Sequence, residues 1–189
     1  MVDAYGHVSV RHPENPNRYF LSRSRSPELV KRADVVHHNL RRAATLKLGI
    51  NWEALCTLNP RLIYASISGF GQSGPLSHKT SFDLIAQGFA GLMHVTGEAD
   101  GPPQFVGVGI ADCTAGFTAF AAIGYALLRR TMTGQGSHLD ISMVDALFHM
   151  HEMNVHAPSM TDGEWKPMRA GAHHPAVCPG GAYQGPQGY

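Results

Sequence analysis

Among the residues of this chain able to do chemistry, Asp112 has the most suggestive setting. It follows Val108-Gly109-Ile110-Ala111 and precedes Cys113-Thr114-Ala115-Gly116-Phe117, the seam between a β-prone run and a strongly helical one. A carboxylate at a helix start has two readings. It can be an N-cap whose oxygens accept otherwise unpaired amides. It can also be a nucleophile, favoured as an anion by the positive end of the helix dipole, which also favours an oxyanion formed on the group it attacks. Asp83, in the first turn of an earlier predicted helix, carries the same capping reading. Local pattern leaves these readings open.

Two other constellations invite chemistry. Gly69-Phe70-Gly71-Gln72-Ser73-Gly74 matches the dinucleotide spacing GxGxxG and follows a β-prone run. That fingerprint also needs a helix to open at the glycines, so that its amides meet a pyrophosphate. Pro75 and the polar run Leu76 to Ser81 follow instead. The expectation is therefore a glycine-permitted loop whose backbone can approach a ligand closely. His149, Glu152 and His156 would share one helical face, but the HExxH pattern is missing, because Met153, Asn154 and Val155 separate Glu152 from His156. A solvated face is the expected reading, with no metal; His37-His38 and His173-His174 give weaker signals still.

These residues require elements to hold them. LIYASI, Leu62 to Ile67, reads as a strand closed by Ser68-Gly69. Ser81 can cap a helix with apolar positions Leu84, Ile85, Phe89 and Leu92. Gln104 to Ile110 reads as a second strand with Val106, Val108 and Ile110 on one face. A helix beginning near Cys113 then runs through Phe117, Phe120, Ile123, Leu127 and Leu128 to a stop at Gly134. Ser137 to Met143 reads as a third strand, followed by a helix over Asp145 to Val155 and a loop-rich tail from Pro158. Strands alternating with helices predict an α/β fold with a parallel or mixed sheet.

Composition excludes several classes. With 15 Lys and Arg against 14 Asp and Glu, net charge is +1, which gives no footprint for nucleic acid. The nearly apolar stretch from Ala115 to Leu128 falls short of the ~20 residues that span a bilayer, so a buried helix and no membrane association are expected. The N-terminus lacks the apolar core of a secretory signal. Cys56, Cys113 and Cys178 are odd in number and widely spaced, which suits reduced thiols in a cytoplasmic protein.

From about Leu29 onward the chain resembles the family III CoA-transferases, a group that includes formyl-CoA and carnitine CoA-transferases and alpha-methylacyl-CoA racemases. The resemblance is carried by LVKRADVVHHNLR, NPRLIYASISGFGQSGP, SFDLIAQGFAGLMHVTGEADGPP, VGVGIADCTAGFTAFAAIGYALLRRTMTGQG and HLDISMVDAL. It implies an incomplete part of that family's α/β fold, with a Rossmann-like core, and an interlocked homodimer in complete members. It implies that Asp112 is the nucleophile and Asp83 an acidic active-site residue. Asn39, Leu40, Lys47 and Met143 match positions that line the coenzyme A site. Many members read Asn-Phe-Arg-Pro-Gly where this chain has Asn39-Leu40-Arg41-Arg42-Ala43. Gly69, Gly71 and Gly74 would face the substrate.

The activity so implied is transfer of CoA from an acyl-CoA thioester to a carboxylic acid through a covalent aspartyl intermediate, without a metal. Oxyanion donors could come from loop 69–74 or from the helix start after Asp112. Two-base epimerisation is the alternative within the family; its racemase branch places a histidine just before the acidic residue matching Asp83, where this chain has Phe82, so a second base would have to come from His78. Residues 1–29 resemble a fragment of the class II aldolase/adducin family, and residues 30–189 a partial transferase domain. The expectation is therefore a junction of two partial genes or a misassembled product, with an aldolase-like binding module or an inactive chimeric fragment as further alternatives.

Overall fold

A computed structural model describes residues 10–12, 15–20 and 34–188. Strands β1 (Val10–His12) and β2 (Asn15–Phe20) form an antiparallel pair. The aldolase-like reading of residues 1–29 otherwise falls largely outside the described residues.

The second sheet has three parallel strands in the order β3-β4-β5: Val35–His38, Ile63–Ser68 and Ser137–Ser142. In register, Val35 lies beside Ile63, and Ile63 beside Ser137. Strand β4 is central and is the most apolar of the three, with Ile63, Tyr64, Ala65 and Ser66 all buried. That burial on both faces is what a central parallel strand requires. Leu62 and Tyr64 pack with Leu55 of α2 (Trp52–Leu58), beside α1 (Arg42–Leu48). Ala65 packs with Ala86, Ala90, Ala111, Ala115, Ala119, Ile141, Met143 and Leu147. Those residues belong to α3 (Asp83–Phe89) with its C-terminal cap, α5 (Ile110–Thr133), β5, and α6 (Met143–Phe148). Helices on both faces of a parallel sheet make the expected α/β layering.

Several expectations need correction. Gln104 to Ile110 is not a strand. Its backbone is satisfied locally, with the Val108 and Ile110 amides donating to Val106 and Val108 carbonyls at 2.8 Å, and with Val106 N–H donating to the Gln87 side chain. Helix α5 consequently starts at Ile110 rather than near Cys113. Ser81 does not cap α3; Phe82 holds that position with no side-chain bond. The first predicted helix breaks at Gly91 (φ 87°) into α3 and α4 (Leu92–Val95). The helix expected over Asp145 to Val155 is α6, a 3-10 turn at His149–His151, and α7 (Glu152–Met160), which runs past Pro158.

The side of each helix that faces the core also differs. Small residues face inward: Ala111, Ala115, Ala119 and Ala126 on α5, at intervals that stack along one face. Phe117 and Phe120 are 76% and 79% exposed, and Phe82, Leu84, Ile85 and Phe89 of the α3 segment are exposed too. The stretch read as a buried helix is thus buried only along its alanines. By length and composition α5 could cross a membrane, yet in this fold its alanine stripe packs on the sheet.

Candidate active site

The direction of α5 places Asp112. Near its C-terminus, Arg130 pairs with the Asp34 carboxylate at 3.0 Å and donates to the carbonyls of Asp34 and Arg61, residues that precede β3 and β4. The helix C-terminus therefore sits at the strands' N-terminal edge. Twenty-four helical residues extend about 36 Å, against about 20 Å for a six-residue strand. The first turn of α5, with Asp112, lies at or beyond the carboxyl ends of the strands. Open parallel sheets bind ligands at that edge.

Asp112 is the third residue of α5, and the carboxylate that caps the helix is not its own. Asp83 reaches across from α3, and its Oδ2 accepts the Ala111 amide at 2.8 Å and the Asp112 amide at 3.2 Å. Asp83 Oδ1 accepts from Gln87 Nε2. Gln87, fully buried, also accepts the Val106 amide at 2.9 Å. Gly109 brings its backbone between both carboxylates; a Cβ there would stand 3.7 Å from Asp83 Oδ2 and 3.8 Å from Asp112 Oδ2. So the capping reading belongs to Asp83. The Asp112 carboxylate has no hydrogen-bond or ion-pair partner among the described residues. Partial burial, and then the neighbouring Asp83 charge, push its carboxyl above the usual carboxylate range.

This arrangement corrects one expectation about oxyanion donors. The four leading amides of α5 are all engaged: Ile110 with Val108, Ala111 and Asp112 with Asp83, Cys113 with Gly109. The start of α5 is not an open oxyanion hole.

The glycine run is a loop, as expected, with no helix opening at it. Gly69 carries no Cβ because Ser81 stands against it, and its carbonyl accepts from Val144 N at 3.1 Å and from Ser142 Oγ at 3.3 Å. Gly71 has φ 81° and lies over the Asp140 carboxylate, which takes the Gln72 amide on both oxygens at 3.0 and 2.9 Å. Gly74 (φ 90°) accepts from Ser77. Phe70 packs edge-on against Phe89 with ring centres 4.9 Å apart, tying the loop to α3 and so to Asp83.

Three of the remaining residues expected at the site lie at the same edge, whereas nothing brings Lys47 to it. Asn39 and Leu40 follow β3 directly, and Met143 follows β5. Met143 is buried in the cluster that contains Ala111, one residue from Asp112. Lys47 is exposed in the last turn of α1. No His, Cys, Asp or Glu cluster suited to a metal occurs among the described residues. Sequence reasoning missed Gln72, Gln87 and Asp140. Only Gln87 left a trace, four residues after Asp83 on one helical face.

A parallel sheet carrying a carboxylate, a glycine loop and a β3 turn at its carboxyl edge is a fold shared with known proteins. The sequence profile of CoA-transferase family III matches residues 22–189. The chain belongs to CoA-transferase family III. It is 42% identical over 158 residues to the acetyl-CoA:oxalate CoA-transferase of Acetobacter aceti, covering 83% of this chain and 40% of that one. It is 40% identical to the succinate–glutarate CoA-transferase of Agrobacterium fabrum, over 80% of this chain and 37% of the relative. A crystal structure of a CAIB/BAIF family protein from Brucella suis superimposes with a TM-score of 0.79 at 36% identity, covering 86% of this chain and 43% of that one. This family III chain thus spans about 40% of the length of the curated relatives it matches.

Proposed function

We propose that the protein carrying this sequence transfers CoA from an acyl-CoA thioester to a carboxylic acid, with Asp112 as nucleophile. The Asp112 carboxylate would attack the donor carbonyl and expel CoA thiolate, leaving a mixed anhydride. The thiolate would then attack the aspartyl carbonyl and displace the donor carboxylate, storing CoA as an aspartyl thioester. The acceptor carboxylate attacks that thioester, and the released thiolate takes the acceptor acyl group from the new anhydride, which frees Asp112. A carboxylate suffices because thiolate leaves readily and two accessible steps replace one difficult step.

The observation that carries this reading is the division of labour between two carboxylates. Asp83 is consumed as the cap of α5, whereas Asp112, a few ångströms away across Gly109, has an unengaged and more basic carboxylate. With the α5 amides occupied, oxyanion stabilisation falls to loop 69–74, where losing one donor typically costs ~10²–10³ in rate. Asn39, Leu40 and Met143 would wall the CoA, and the exposed Lys47 ammonium suits its phosphates. The exposed apolar faces of α3 and α5 suit a homodimer contact. The three free cysteines suit a reducing cytoplasm.

Epimerisation finds no support at Phe82, whose exposed ring exchanges no proton. Incubation with acyl-CoA should leave a hydroxylamine-sensitive adduct on the peptide containing Asp112, and Asp112→Ala should abolish it. A label on another peptide removes the nucleophile assignment. Deuterium entering the α-carbon of a 2-methylacyl-CoA as fast as CoA moves replaces transfer with racemisation.

A further inference from the structure

The turn Asn39–Leu40 is held by side chains from β3 and from the glycine loop. His38, the last residue of β3, is buried, and its Nδ1 accepts the Leu40 amide at 3.0 Å. Its Nε2 lies 2.7 Å from Tyr64 Oη, and Tyr64 O–H donates to the Ile50 carbonyl at 2.9 Å. Only one proton arrangement satisfies all three contacts. Nδ1 accepts and so carries no proton; the neutral ring then bears its hydrogen on Nε2 and donates it to Tyr64. Tyr64 accepts from His38 while spending its own proton on Ile50. From the other side, Gln72 Nε2 donates to the Leu40 carbonyl at 3.3 Å, and the Gln72 backbone is itself fixed on Asp140 of β5.

We propose that His38 is a positioning residue of the CoA site: it acts through the Leu40 backbone, presetting the β3 turn before the cofactor arrives. The inference rests on the cofactor role proposed above for Asn39 and Leu40. A turn whose amide and carbonyl are both anchored enters binding already ordered, which removes part of the ordering cost of association. The buried Tyr64 hydroxyl locks the tautomer that makes Nδ1 an acceptor, so the preset conformation is built into the core beneath the site.

Two conservative substitutions separate positioning from packing. His38→Asn places an amide oxygen near the position of Nδ1 and keeps the Leu40 acceptor while abandoning Tyr64. His38→Gln places its amide near Nε2, keeps the Tyr64 partner and abandons Leu40. Calorimetric titration of this chain with CoA should show His38→Gln weaker by about tenfold, the scale of one lost hydrogen bond, and His38→Asn within about threefold of the unsubstituted chain. Urea unfolding should rank the two oppositely, with His38→Gln the more stable. CoA affinity that follows the stability ranking, or that is equal in the two variants, overturns the positioning role. Absence of CoA binding by the unsubstituted chain overturns the cofactor reading of the turn itself, and the inference with it.

Discussion

His38 makes the stability of this fold depend on pH in a defined direction. Burial, reinforced by the nearby His37 and His138 rings, lowers its pKa from 6.5 to about 4. Above pH 6.5 the imidazole is neutral in both the folded and the unfolded chain, so it contributes nothing to the pH dependence. Below 6.5 the unfolded chain takes up a proton that the folded chain refuses, and folding becomes less favourable as pH falls. The loss approaches about 1.4 kcal/mol per pH unit and ends once the folded ring also titrates, near pH 4. The total is about 3 kcal/mol, a large part of the stability of a chain this size. Carboxylates titrate over the same range, so the His38→Asn variant serves as reference. Urea unfolding of both proteins from pH 8 to pH 4 gives a difference in free energy that should stay level above about 6.5 and then fall steadily for the native chain. A difference that stays constant across the whole range, or a His38 imidazole that titrates near 6.5 by NMR in the folded chain, refutes the buried neutral ring and the tautomer argument built on it.

Gln87→Leu should destabilise the fold by about 2 kcal/mol in urea, because it orphans the Val106 amide and one oxygen of Asp83; Gln87→Glu should cost more at neutral pH and recover in acid, where the added carboxylate is protonated. Phe117→Glu and Phe120→Glu should each reduce hydrophobic-dye binding and self-association, measured by fluorescence and light scattering, while changing unfolding free energy by less than about 0.5 kcal/mol; a loss of several kcal/mol would place these rings in the core.

Residue pattern alone carried the α/β class with a parallel or mixed sheet, the strands over residues 62–67 and 137–143, the glycine loop and the two carboxylates; that the three strands are all parallel came from the structure. Each rests on a local signal: the β-prone run of residues 62–67, the period-two alternation of 137–143, a run of glycines, and acids placed at helix starts. Periodicity could not tell which side of a helix meets the sheet. Both faces of α5 are apolar, and the tight approach of helix to strand favours Ala111, Ala115 and Ala119 over Phe117 and Phe120. Nor could it reveal that Gln104 to Ile110 would forgo a sheet. That segment's amides are satisfied by near neighbours and by Gln87, a residue distant in sequence. Which of Asp83 and Asp112 caps α5 was decided in the same way. Both stand at helix starts with equal local claims to cap, and only the packing of α3 against α5 brings the Asp83 oxygens to the amides of another helix. Capping is a contact between elements here, and one-dimensional spacing carries no record of which elements meet.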